Sequence, residues 1–294
     1  VYKRQVLIFN PRAGAWRTAK LVEKILRSLA ESGYETDPRA TRQPGHATRL
    51  AREAAASGID VVFAHGGDGT LREAAAGLVG TDTALAPIPG GTTNVVALAL
   101  GFPTNPLGAA ASLADAATFS MDVGLCGEEV FLMQTSAGID AHIMGRLDPA
   151  LKRRFGKAAV AFPSLSSIST YGYPAIELVA DGRPATASFV AVCNLAYYAG
   201  RYRMAPFADP RDRALDLVVF RGTGRLATIG FARDLFLGRH QRRRDVEMMR
   251  VEEVEIRGPR GLAVQLDGDT LPIQLPVTVG IHPQTIHMLK PRST

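Results

Sequence analysis

Over the first 120 residues, short apolar runs alternate with stretches whose apolar positions recur every three or four residues. Val6-Leu7-Ile8-Phe9 reads as a buried strand, and residues 18–30 bring Leu21, Ile25, Leu26 and Leu29 onto one helical face. Residues 34–40 predict a second strand, and 44–56 a second helix that Gly58 stops. Strand 59–64, helix 71–79, strand 84–88 and a helix after Asn94 continue the alternation. Repeated strand–loop–helix units imply a parallel sheet with helices on its faces. Ligands of such sheets bind at the carboxyl ends of the strands. The loops at 10–14, 66–70 and 89–94 all follow strands, so they belong on that edge.

Near Ser120 the pattern changes. Residues 130–134, 175–180, 188–193, 215–220, 252–257, 262–267 and 273–279 read as strands, with helical stretches near 138–170 and 224–238. Mostly strands with short connections predict an antiparallel β-sandwich. The expected architecture is therefore α/β plus all-β. Residues 1–120 are expected to form an α/β domain to which 284–294 can return, and 121–283 a β-sandwich.

Composition narrows the setting. Cys126 and Cys193 are too few for a disulfide framework, and the six histidines have no zinc-ligand spacing and read as structural. A reducing, cytoplasmic setting is expected, with neither signal peptide nor membrane span. The formal net charge is +6, and residues 201–250 carry all of that surplus, twelve Arg against six Asp and Glu. This stretch contains Arg239 and Arg242-Arg243-Arg244, and a second basic cluster is Lys152-Arg153-Arg154 with Lys157 behind it. Such patches suit an anionic partner. Charge alone does not separate an anionic membrane surface, a nucleic acid or a phosphorylated ligand, and no zinc finger or aromatic RNA-binding motif supports nucleic acid. The sequence also admits a homodimer.

Gly66-Gly67-Asp68-Gly69-Thr70 carries the strongest chemical signal. Its three glycines allow close approach to an anion and positive φ, and the loop opens a helix whose free N–H groups favour phosphate. Asp68 repels phosphate and suits a metal ion or an ordered water. Neither a P-loop nor a G-x-G-x-x-G fingerprint is present. By itself, Gln265-Leu266-Asp267-Gly268-Asp269 would read as an Asp-Gly hairpin turn.

Taken together, Asn10-Pro11-Arg12-Ala13-Gly14, Gly66 to Thr70, Pro89-Gly90-Gly91-Thr92-Thr93-Asn94 and Asp267-Gly268-Asp269 resemble the diacylglycerol kinase catalytic-domain family. That family includes bacterial soluble lipid kinases, sphingosine kinases and ceramide kinases. The resemblance covers essentially the whole chain. It implies ATP contacts at Asn10, Pro11, Arg12, Ala13, Gly14, Thr41, Gly66, Gly67, Asp68, Gly69, Thr70, Leu71, Arg72, Thr93 and Asn94. It also implies that an acid of the terminal segment takes the proton from the attacking hydroxyl. Asp267 is preferred because Asp-Gly is the fixed part of that motif, while Asp269 stands where relatives carry Glu. A structural Mg²⁺ is implied at Asp212, with main-chain carbonyls of Asp209 and Ala214. Here Arg213 replaces the usual Gly, which puts that turn in question. After Asn94 the chain reads Val95-Val96-Ala97-Leu98 where many relatives have Asp-Phe/Leu-Ala-Arg.

The reading that follows is a peripheral membrane enzyme that transfers phosphate from MgATP to a neutral lipid such as diacylglycerol or a sphingolipid. Phe155, Ala158, Ala159, Val160 and Phe162 are candidates to line its lipid cleft. The alternatives are NAD kinase and a nucleotide-binding regulator without catalysis. The Asn10-Pro11 loop and the terminal acids argue against the first, and retention of those acids argues against the second.

Overall fold

The computed structural model of the protein describes residues 4–12, 18–146 and 166–292. The chain divides into two compact units, residues 1–123 with 283–294, and residues 124–282.

The first unit is built on β1 (Gln5–Phe9), β2 (Thr36–Ala40), β3 (Val61–Gly66), β4 (Ala84–Pro89) and β5 (Ala117–Met121), joined by β20 (Ile286–Lys290). Their order is β2-β1-β3-β4-β20-β5, parallel except where β5 runs antiparallel to β20. From β1 the chain goes to one side for β2 and to the other for β3. That reversal makes a topological switch point between the carboxyl ends of β1 and β3, where open parallel sheets bind ligands. Helix α1 (Thr18–Glu31) puts Val22, Ile25 and Leu29 into a core with Leu7, Phe63, Ile88 and Leu289. Helices α2 (His46–Ala56) and α3 (Asp68–Leu78) pack closely because small residues line their contact. A Cβ on Gly77 would collide with the Thr48 carbonyl oxygen. Two short helices, α4 (Val95–Ala99) and α5 (Pro106–Ala111), follow β4.

The second unit is a sandwich of two six-stranded sheets. One runs β10 (Arg183–Ala187), β9 (Ile176–Ala180), β16 (Glu253–Arg257), β19 (Val277–Ile281), β6 (Gly124–Cys126) and β7 (Glu129–Phe131). The other runs β15 (Val246–Val251), β14 (Leu215–Phe220), β11 (Phe189–Cys193), β8 (Gln134–Gly138), β17 (Val264–Leu266) and β18 (Asp269–Leu271). A two-stranded ribbon pairs β12 (Tyr197–Tyr198) with β13 (Tyr202–Arg203). Alternate residues meet between the sheets: Ile176, Leu178, Val254 and Ile256 from one, and Val190, Val192, Leu217 and Val219 from the other. The second sheet is apolar on its outer face as well, where Phe189, Ala191, Val218 and Phe220 receive Phe231 and Leu235 of α7 (Gly224–Phe236). This double burial explains the unbroken apolar runs of β11 and β14. Helix α6 (Ile139–Gly145) follows β8 directly.

The strand expected at 130–134 is in fact two. The chain leaves the first sheet at Phe131, bends over 132–133 and enters the second sheet at Gln134. Strand β8 reads Gln-Thr-Ser-Ala-Gly, and all five residues are buried. The Phe231 ring stacks 4.6 Å from Phe220 and lies 5.7 Å from Phe189. We expect Phe231→Ala to cost about 3–5 kcal/mol, read as a lower urea midpoint with an unchanged slope.

Candidate active site

In the first unit, the loops that stand out in the sequence meet at the switch point. The Asn10 N–H donates to the His65 carbonyl at 3.0 Å, and the Asn10 side chain accepts from Arg12 N–H at 2.9 Å. The Thr41 N–H donates to the Phe9 carbonyl at 2.8 Å, which sets it beside the end of β1. The Gly90 N–H donates to the Gly66 carbonyl at 2.8 Å. The sequence reading expected the glycines to allow positive φ, but none of Gly66, Gly67, Gly69, Gly90 or Gly91 adopts it. They serve contact instead. A Cβ on Gly91 would stand 2.6 Å from the Gly67 Cα, one on Gly90 2.8 Å from the His65 ring, and one on Gly66 2.5 Å from Thr70 Oγ1. Two backbones therefore lie against each other where side chains would hold them apart.

Helix α3 begins from Gly67, and no side chain caps it. Its first-turn N–H groups form the kind of terminus that receives phosphate. Asp68 spans the two loops: its carboxylate accepts from Thr93 Oγ1 at 3.2 Å and from the Val96 N–H at 3.2 Å, at the start of α4. Asn94 adopts left-handed φ 48 and clamps its own loop, accepting from Gly91 N–H and donating to the Gly91 carbonyl, both at 2.8 Å. Leu71 and Arg72 are buried on α3. His65, also buried, sits at the end of β3 with Nδ1 3.1 Å from the Ile88 carbonyl, and burial holds its pKa below the usual histidine range. Ala13, Gly14, Lys152-Arg153-Arg154, Lys157 and the apolar residues of 155–162 lie outside the described residues.

In the second unit, Asp267-Gly268 is the two-residue turn joining β17 to β18, with φ 50 and 85. Asp-Gly is the pair such a turn favours. The Asp267 carboxylate is buried, and it accepts three backbone N–H groups: Leu132 at 2.7 Å, Met133 at 2.8 Å and Gln134 at 3.0 Å. These residues form the bend by which the chain changes sheets, where no ladder partner takes their N–H groups. The Asp267 carboxylate, the acid that the sequence reading preferred as the base, holds the corner of the sandwich. Asp269 is exposed at the start of β18.

Sequence reasoning missed a buried polar network behind this turn. Asp140 accepts from Tyr198 Oη at 2.5 Å, Ser136 Oγ at 2.7 Å and Gln265 Nε2 at 3.2 Å. Gln265 also donates to Ser136 Oγ at 2.9 Å, and its Oε1 accepts the Gly268 N–H at 2.7 Å. Gln265 thus links Asp140 to the turn between Asp267 and Asp269. Burial raises the Asp140 pKa above the usual carboxylate range while the three donors pull it down. Burial and the neighbouring Asp140 also drive the Tyr198 phenol well above its ordinary value. The only signal in the sequence was Gln265, one strand position before the Leu266-Asp267 pair.

The expected metal turn exists, but its donors face arginines. Arg213 takes φ 59, the left-handed conformation that glycine usually supplies, so the turn survives the replacement. Asp212 pairs with Arg250 at 2.8 Å and accepts the Ala214 N–H at 3.2 Å, while Asp209 pairs with Arg211 at 2.9 Å. A guanidinium on the one proposed carboxylate ligand does not suit a cation, and these residues do not fit a structural Mg²⁺. Among the described residues, no group of three or more His, Cys, Asp or Glu side chains could hold a metal ion. The Arg239–Arg244 cluster is also partly internal. Arg243 contacts Asp234 at 2.9 Å and Asp245 at 2.8 Å, and Arg233 and Arg239 also lie on Asp234, at 2.9 and 3.5 Å.

Both halves of the chain match known family models. Residues 4–126 match the family model described as diacylglycerol kinase catalytic domain, and residues 133–290 match the YegS C-terminal NAD kinase β-sandwich-like domain. A Pseudomonas putida protein named "Probable lipid kinase YegS-like" is 33% identical over 254 residues, 85% of this chain and 84% of that protein. A Bacillus subtilis protein named diacylglycerol kinase is 27% identical over 91% of this chain and 90% of its own length. A crystal structure of a diacylglycerol kinase from Bacillus anthracis aligns with TM-score 0.81 at 26% identity, covering 98% of this chain and 97% of that one.

The Asp140 network yields a pH-dependent expectation. Gln265→Glu sets a second carboxyl against Asp140, and like charges raise the pKa of the pair. A raised folded pKa gives stability that is present below the unfolded carboxylate range and lost as pH rises. The variant should approach native stability near pH 4 and fall behind toward pH 8, by about 1.4 kcal/mol for each tenfold rise in the pair's proton affinity. Urea unfolding at both pH values checks this.

Proposed function

Because the chain belongs to the diacylglycerol kinase catalytic-domain family of lipid kinases, we propose that it moves the γ-phosphoryl group of MgATP onto the hydroxyl of a neutral lipid, a diacylglycerol or a related glycerolipid or sphingolipid. The observation that carries this reading is the uncapped start of α3 at the switch point, beside two loops whose backbones touch through Gly67 and Gly91. Phosphate oxygens can approach such N–H groups closely, and phosphoryl transfer relies mainly on positioning and charge neutralisation. Mg²⁺ bound with the nucleotide would neutralise charge on the phosphates. Asp68, whose carboxylate accepts from Thr93 and Val96, would orient waters around that ion.

Asp269 is our choice of general base. It is exposed, and it follows a turn that Asp267 and Gln265 hold rigidly. The lipid oxygen forms a bond to the γ-phosphorus as the bond to the bridging oxygen breaks. ADP leaves with the electron pair, and Asp269 takes the hydroxyl proton. None of the helices among the described residues is long and apolar enough to cross a membrane. The lipid is therefore expected to be met at a bilayer surface rather than within a spanning bundle.

Two experiments test the assignment. Transfer of labelled phosphate from ATP to a panel of diacylglycerol, ceramide, sphingoid bases and NAD should give a lipid product, and a product from NAD alone would sink the proposal. In the same assay Asp269→Asn should lower kcat by at least about a hundredfold with unchanged nucleotide affinity and melting temperature. Asp267→Asn should instead melt early, since it weakens the capture of three buried N–H groups. Separately, Gly91→Ala should part the two loops and weaken ATP binding about tenfold or more, measured by calorimetry, with little change in unfolding midpoint.

A further inference from the structure

Helix α7 is apolar on two faces, and among the described residues only one of them is covered. Thr228, Phe231 and Leu235 are buried against the outer face of the second sheet. On the opposite side Leu226 is 87% exposed, Ile229 48%, Phe236 65% and Leu237 50%. These residues and Arg233 fall at i, i+3, i+7, i+10 and i+11, a single stripe along the helix. Phe207, 81% exposed, belongs to a segment tied to the same helix: the Tyr202 ring lies 5.3 Å from Phe236, and the Met204 carbonyl is 2.9 Å from His240 Nε2. Packing of the second unit does not need this stripe, because the inner face already fills the core contact.

Charge selects the occupant. Residues 224–245 hold six arginines against two aspartates, and both aspartates are turned to Arg243. Arg225, Arg233, Arg239, Arg242 and Arg244 are exposed, and no acidic side chain stands among the outward positions of α7. We propose that the outer face of α7 is a membrane-docking surface that lies flat in the interface of an anionic phospholipid bilayer, with its arginines at headgroup level. Apolar residues flanked by arginines suit that depth. A second copy of the chain fits poorly: a two-fold contact would bring the same cationic rim against itself, and one helix stripe is small beside the roughly 1,200–2,000 Å² of a stable interface. The inference deepens the lipid-kinase reading by naming the surface that meets the lipid's source, but vesicle binding requires no catalysis, so the two can fail separately.

The test is flotation of the full chain with vesicles of phosphatidylcholine alone or mixed with phosphatidylglycerol, at 0.05 M and at 0.5 M NaCl. The native protein should float with the mixed vesicles at low salt and be largely released at high salt. Leu226→Asn with Phe236→Asn should weaken binding about a hundredfold, and Arg242→Gln with Arg244→Gln about fivefold per arginine. Leu226, Arg242 and Arg244 are exposed and Phe236 touches only the Tyr202 ring among the aromatic contacts described, so the unfolding midpoint should stay near native. If the double apolar variant is unstable, Leu226→Asn alone should still weaken binding about tenfold. Equal flotation of native and variant proteins overturns the proposal. So does a native dimer that the apolar variant converts to monomer in sedimentation without losing vesicle binding. A protein that floats but phosphorylates no lipid leaves this inference intact and ends the kinase reading. One that phosphorylates a soluble short-chain lipid and fails to float does the reverse.

Discussion

Three consecutive backbone N–H groups at 132–134 find their acceptor in one carboxylate, that of Asp267. The chain changes sheets at this bend, and buried donors without acceptors cost about 1–3 kcal/mol each. The carbonyls of the same bend are taken by Asn194 and Leu195. A single turn residue therefore closes the corner of the sandwich and fixes the strand that carries Asp269. Gln265 ties the same turn to Asp140 and Tyr198 from behind. The hairpin is a structural joint, and such a joint would suit the general base we propose at Asp269.

The first unit reaches comparable definition by removing side chains rather than by adding a buried charge. Gly67 and Gly91 let two loops touch, and Asp68 and Asn94 then hold the contact with hydrogen bonds. Of the three acids singled out for chemistry, Asp68 and Asp267 both carry loads for local structure. Loss of activity on replacing either would by itself say little about a chemical role, whereas Asp269 has no such second duty in the hydrogen bonds described above.

Much of the α/β half was legible because helix and strand periods separate cleanly there. The elements of residues 18–89 differ from their sequence readings by only a few residues at the ends. Strand β8 was not legible, since Gln134, Thr135 and Ser136 are polar side chains in the middle of a sheet, satisfied by partners far along the chain. Asp267 was found by its motif, but its part in closing the sheet corner was not legible for the same reason. Its partners lie more than 130 residues earlier, and no spacing rule connects them. The glycine loops were located correctly, but contact between loops separated by a whole strand and helix set their composition, and local φ did not. The basic stretch was visible as composition, while its pairing around Asp234 and the apolar stripe of α7 needed the fold.

Strand β20 has a consequence for how the molecule is made. It pairs with both β4 and β5, yet the ribosome reaches it only after the entire second unit has emerged. Until then, the first unit holds β1 to β4 as a parallel set with its inner edge open, and β5 has no neighbour in the sheet. Unpaired strand edges are where nascent chains associate wrongly. The glycine loops sit on strands synthesised early, but the sheet that steadies them closes last. A fragment ending near residue 123 would lack the strand that joins β4 to β5, so the first unit is not a module that could be cut from the rest of the chain at that point.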